Sequence, residues 1–284
     1  MEDKNIEKKE TIDNVLKLMD RANEVFSYEI WVPSLGKEIM FREINTSQQK
    51  RLIKSVIDSP IYNTEFIFTL RKIIKENCVD PEVDIDQLTL LDKISIAISM
   101  RINSIGDIVE MEFESDDGPV PRGISLKNIQ KQIKKLKPLK TAKIVDDKGV
   151  YTLDCSIPSI LTEHSLEQEF RSNHEIDDIN TSEELRDTIG VAFINELIKY
   201  VNVLTIKTEE NETVINLNDV DFSTRIKLIE KLPERLTSKL IDYIEKIKKE
   251  LDKVILIKVE IDKEGKKQML EERLSIDGGF FTAS

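Results

Sequence analysis

The chain has 284 residues, 39% hydrophobic and 34% charged, with a formal net charge of −12. That length suits one large domain or two ordinary ones with a real core, and the negative charge argues against free double-stranded nucleic acid, whose binding needs clustered cations to release counterions. Nine glycines are few for a nucleotide-binding fold, where backbone must approach phosphate closely. No apolar run approaches the ~18 residues of a membrane span. The opening Met1-Glu2-Asp3-Lys4-Asn5 lacks the charged-then-apolar order of a secretory signal. The two cysteines, Cys78 and Cys155, lie far apart, which points to a reducing compartment rather than a disulfide framework.

In chain order, residues 5–26 read as an amphipathic helix with Ile12, Val15, Leu16 and Met19 on one stripe, either an arm for a partner or the first helix of the chain's own core. The run Ile30 to Ile44 alternates around Pro33-Ser34-Leu35-Gly36 and reads as strand, turn, strand. Three helices follow. The first is capped by Thr46 or Ser47, presents Leu52, Ile53, Val56 and Ile57, and ends at Ser59-Pro60. The second, near 63–77, carries Phe66, Leu70, Ile73 and Ile74 and is broken by Asp80-Pro81. The third starts near Asp86, carries Leu88, Leu91, Ile94, Ile98 and Ile102, and closes at Gly106.

Asp107 to Phe113 alternates as a strand, Ser115 to Pro119 is a turn, and Ile124 to Leu136 reads as a lysine-rich helix. Its cations at 127, 131, 134, 135 and 137 form a solvated face or an anion site. A second hairpin turns at Asp146-Asp147-Lys148-Gly149. After Pro158-Ser159 comes a helix through Leu161, Leu166 and Phe170, then a polar loop, then a helix opened by Ser182 that carries Leu185, Ile189, Phe193, Leu197 and Ile198. A third hairpin spans 203–217. A long helical region over 223–253 is split or kinked at Pro233, and its second half buries Leu236, Leu240, Ile244, Ile247 and Leu251. Strands over 254–261 and 270–276 precede the tail Gly278-Gly279-Phe280-Phe281. The alternation of hairpins and helices predicts a helix-rich α+β fold, with helices packed on antiparallel hairpins. It divides into an arm (1–27), a hairpin-plus-helices domain (28–140) and a second domain (141–284) that includes the C-terminal strands and tail.

Catalytic chemistry is sparse. Cys155, His164 and His174, with Cys78 more distant, are residue types zinc accepts, but their spacing matches no paired-ligand signature, and Cys155 reads as a small core residue. Neither histidine has a nucleophile elbow nearby. The adjacent acids at 116–117, 146–147 and 177–178 sit in turns. No phosphate-binding glycine loop occurs. These residues point to an interaction protein, not an enzyme, with no metal, cofactor, small-molecule substrate or membrane. Phe280 and Phe281 either fold back on the core or insert into a partner. They and Trp31 and Phe41 of the first hairpin are the candidate partner-binding residues.

Three stretches resemble the baseplate hub assembly family of T-even-type contractile-tailed phages. They are Pro33-Ser34-Leu35-Gly36-Lys37 through Phe41-Arg42-Glu43-Ile44 to Gln48-Gln49-Lys50; Ile73-Ile74 to Cys78 with Asp86 to Asp92 and Ser99-Met100-Arg101-Ile102 to Gly106; and Asp221 to Leu240 with the late strands and Phe280-Phe281. The likeness spans most of the chain and carries no catalytic residues. It implies a structural or chaperone-like role in building the baseplate hub. The partners would be other hub and tail proteins, and the locations the host cytoplasm during assembly and the virion baseplate. The competing reading is a cytoplasmic adaptor unrelated to phage.

Overall fold

A computed structural model describes residues 25–282 except 59–63, 116–117, 137–138, 174–181, 264–265 and 278, together with seven positions between 12 and 22; side chains 58, 64, 182–185, 187, 263 and 266 also lie outside it. At the seven N-terminal positions the backbone is helical, and Ile12, Val15 and Met19 face solvent. Leu16, Ser59-Pro60, His174 and Leu185 fall outside the described residues or side chains.

The fold starts on a hairpin of β1 (Ser27–Val32) and β2 (Lys37–Arg42). Period-two alternation puts Ile30, Val32, Ile39 and Phe41 on one face, and all four are buried. Gly36 takes φ +60° in the turn and donates its N–H to Val32 O at 3.0 Å. Helix α1 (Thr46–Asp58) is capped one residue earlier than expected. Asn45 Oδ1 accepts the Gln48 N–H, and Gln48 Oε1 accepts the Asn45 N–H, a reciprocal box that takes the place of a cap at Thr46 or Ser47. Leu52 and Ser55 point inward and Ile57 is exposed. Helix α2 (Thr64–Asn77) buries Phe66, Leu70, Ile73 and Ile74 as its periodicity requires.

The third helix, α3 (Leu90–Ser104), starts four residues later than Asp86. Residues 85–87 form a 3₁₀ turn, and the helix begins where Thr89 and Asp92 cap each other. Asp92 is fully buried. Its Oδ2 accepts from the Thr89 N–H and hydroxyl, both at 2.7 Å, and its Oδ1 accepts the Ser34 N–H at 2.8 Å. One carboxylate therefore caps α3 and ties it to the β1–β2 turn. Ile96, Ala97, Ile98 and Met100 are all buried, so α3 is enclosed on nearly every side. Gly106, at φ +149°, lets the chain leave the helix. There the buried Arg101 guanidinium donates to Gly106 O at 2.7 Å and Ile108 O at 3.0 Å.

Strand β3 (Ile108–Phe113) pairs with β4 (Val120–Ser125), a strand the sequence did not announce. Its Pro121 and Gly123 are poor strand formers, tolerated because this hairpin is only two strands wide. Helix α4 (Leu126–Ile133) turns Leu126, Ile129 and Ile133 inward and Lys127 and Lys131 outward. The exposed lysines are a solvated face. Lys127 lies 3.6 Å from Asp107, and Lys134, just beyond the helix, lies 2.7 Å from Glu38.

In the second half, β5 (Ala142–Val145), β6 (Tyr151–Cys155), β7 (Val201–Lys207) and β8 (Glu212–Asn216) form one antiparallel sheet in that order. Two helices, α5 (Ile160–Asn173) and α6 (Ser182–Ile198), intervene between its middle strands. Ile144, Leu153, Leu204 and Ile215 align across its inner face. Helices α7 (Phe222–Glu230) and α8 (Glu234–Ile255) flank Pro233, which splits them. β9 (Leu256–Lys263) and β10 (Lys266–Arg273) close the order as a hairpin.

Two apolar cores result. The second draws on residues 144–247. The first draws on residues 30–133 and on Ile160, Val254, Leu274, Phe280 and Phe281. Segments assigned by sequence to 141–284 thus complete the core of the first half. The architecture is a helix-rich α+β fold with small antiparallel sheets. Replacing Asp92 with Ala removes the buried acceptor shared by Ser34 and Thr89 and is expected to cost about 3 kcal/mol, more than Asn does, measured by urea unfolding.

Candidate functional site

Of the four candidate contact residues, three are interior. Phe280 and Phe281 sit in a 3₁₀ turn and pack edge to face, centroids 5.2 Å apart, with Phe281 6.2 Å from Phe66 of α2. Gln49 Nε2 of α1 donates to Phe281 O at 2.8 Å, and Asp277 accepts the Phe280 N–H through its carbonyl and its side chain. Phe41 is fully enclosed on β2, which bridges to Cys78. Trp31 is half-buried against the same core, and its carbonyl accepts from Ser95 Oγ at 2.7 Å. The tail therefore folds back. Two large aromatics gain more by filling a site beside Phe66 than by projecting into water, so in this conformation Phe41, Phe280 and Phe281 give a partner no surface.

The strongest concentration of polar chemistry runs along α5, between the two cores. Its first turn is sewn to the first half by main chain, Ile160 N–H to Leu88 O at 2.7 Å and Leu90 N–H to Pro158 O at 3.2 Å. Further along, Glu163 pairs with Lys93 of α3 and Arg171 with Glu65 of α2. Toward the second half, Glu167 meets Lys199 at 2.6 Å and Glu169 meets Arg225 of α7 at 2.9 Å. The Lys199 side chain is only 13% exposed and also touches Glu196 at 3.2 Å, which Lys248 of α8 approaches at 3.1 Å. Burial alone would pull the Lys199 ammonium down, but Glu196 and Glu167 outweigh it and hold the pKa above the ordinary lysine range. Burial pushes Glu196 up, and Lys199 and Lys248 outweigh it, so this carboxyl lies below the usual range. Asp86, between Arg71 and Lys75, is likewise held low against its burial.

An apolar groove of about 300 Å³ lies beside this seam, lined by Phe66, Leu70, Ala97 and Leu274, with Lys93 and Glu163 as its polar wall. None of these groups is arranged as a nucleophile beside a base. Cys155 is buried, and burial pushes its thiol up to about 12. His164 packs at a tilt against Phe68, ring centroids 4.3 Å apart, and burial lowers its pKa. Among the described residues no three His, Cys, Asp or Glu side chains converge to hold a metal ion. No helix there is long and apolar enough to cross a membrane.

Sequence periodicity missed the outward surfaces. Ile189 and Phe193 of α6 are exposed, because the helix turns Asn195, Leu197 and Ile198 to the second core. The run 189–198 is apolar on most sides, so the helical period alone does not choose a face.

Two measurements follow. Phe281→Ala is expected to destabilise the isolated chain by about 3–5 kcal/mol, where a projecting anchor would leave its melting unchanged. Asp86 and Glu196 titrate lower folded than unfolded, so their contribution is present above the unfolded values, roughly 4, and is lost as pH falls below them. Urea midpoints should hold from pH 7 to about 5 and drop by pH 3.

No curated protein and no solved structure matches the chain. One family model does, described as T4 bacteriophage base plate protein, over residues 25–273. That span runs from just before β1 to the end of β10 and takes in the α5 seam, the second core and all of the first core but Leu274, Phe280 and Phe281. The chain therefore belongs to the T4 bacteriophage base plate protein family, whose members are structural proteins of the phage tail.

Proposed function

We propose that this protein helps build the central hub of the baseplate of a contractile tail, and that it acts only through contacts with neighbouring tail proteins, without making or breaking bonds. The supporting observation is how the chain spends its chemistry. The seam's buried cations are matched by carboxylates, the tail aromatics fill the core, and the one fully buried thiol is protonated at neutral pH. What faces outward is the described part of the 1–27 arm, Ile189 and Phe193 of α6, and strand edges. Apolar helix faces and open edges are the parts by which extended or helical segments of another protein are held. The net charge of −12 opposes self-association until a partner arrives.

Quantitative mass spectrometry of purified particles beside infected-cell lysate tests the reading. The protein is expected in lysate together with other baseplate proteins. Its recovery in particles as well marks a hub component, and its loss from particles marks an assembly factor. Absence of association with any tail protein in either sample would defeat the proposal.

A further inference from the structure

The four-stranded sheet has two unlike edges. At β5, α8 closes the edge: Lys239 Nζ donates to Val145 O at 3.0 Å and Tyr243 OH to Lys140 O at 3.1 Å. At β8 the register sets a different outcome. Thr208 N–H bonds Asn211 O, and Lys207 N–H on the opposite side bonds Val150 O. With the pairing Ile206↔Thr213, Thr205↔Val214 and Leu204↔Ile215, the ladder to β7 uses Thr213 and Ile215. The N–H and C=O groups of Glu212, Val214 and Asn216 then point away from the sheet, and among the described residues no main-chain bond reaches them.

Side chains and charge narrow what fits there. Val214 is 63% exposed and continues an outer row with Val145, Thr152 and Thr205, while Ile215 continues the inner row and is only half-buried. A residue of an added strand beside Ile215 would complete its burial. Along residues 207–219 Glu209, Glu210, Glu212 and Asp219 stand against one cation, Lys207, which pairs with Glu212 at 3.8 Å. A second copy would bring the same acidic edge against itself, which like charges disfavour.

We infer that β8 is a strand-addition site for an extended segment of another tail protein, apolar or β-branched at its centre and carrying Lys or Arg at its ends. This rests on the reading that the protein works by contact with tail proteins, and it adds where and with what chemistry.

The test uses the full chain, immobilised as wild type, as Val214→Pro and as the triple reversal E209K/E210K/E212K. Each is incubated with baseplate proteins released from disassembled particles. Bound proteins are identified by mass spectrometry, and amide exchange is followed over residues 212–216. Val214→Pro deletes an outward donor that the β7 ladder does not use, so circular dichroism should match wild type. Should it unfold, the charge reversal carries the test. The expected result is an identified baseplate protein on wild type, exchange over 212–216 slowed at least about tenfold, and binding weakened at least about tenfold in both variants and by added salt. Equal binding to all three, with no protection over 212–216, overturns the assignment and leaves the hub reading standing. No baseplate protein on wild type overturns both. A wild-type dimer in sedimentation that Val214→Pro abolishes overturns the choice of occupant in favour of a second copy.

Discussion

The ion-paired seam along α5 is the constraint on which the rest of this structure depends. Taking an ammonium such as Lys199 out of water costs several kcal/mol unless a carboxylate meets it in good geometry. The halves therefore have few relative positions in which Lys93 meets Glu163 and Glu65 meets Arg171 while α5 keeps Lys199 and Arg225 paired. Apolar contact between two cores is tolerant of sliding; a set of charge pairs spaced along one helix is not. The main-chain bonds at Ile160 and Leu90 hold the start of α5, and α8 runs from Leu236 in the second core to Val254 in the first. Together they join two modest cores into one body.

That economy fits a protein whose product is shape. The aromatic tail closes a core at the far end of the chain, so the last residues are needed to finish what the first hairpin begins. The groove beside α5 is apolar except where Lys93 and Glu163 neutralise each other. Burial pushes the Cys155 thiol up to about 12, and the His164 ring packs against Phe68. The surface keeps the unspent strand edge and helix faces.

Much of this was legible along the sequence, for a local reason. The first hairpin, α2 and the break at Pro233 depend on alternation, on a 3.6-residue period and on a missing N–H, all short-range properties. The cap at Asn45 and the box at Thr89–Asp92 were also present in the sequence. They were passed over because several residues at each start could cap, and only hydrogen-bond reach separates them. Strand β4 was hidden by Pro121 and Gly123, whose unfavourable propensity is overridden by pairing with β3. The buried face of α6 was not legible, because a helix apolar on most sides carries no moment to point it.

By itself the sequence determined the kinds of element, their order, the α+β class and the scarcity of catalytic groups, because each follows from residues within a turn or two of one another. It also carried the family likeness. Tertiary structure alone decided that two hairpins merge into one sheet with a closed edge and an open one, and that Phe280 and Phe281 turn inward. It alone decided that Glu163, Glu167 and Glu169 of one helix reach cations on α3, just past the end of α6 and on α7. The physical reason is that burial and charge pairing depend on groups distant in sequence, and whether an apolar side chain is core or contact is settled only by what arrives to cover it.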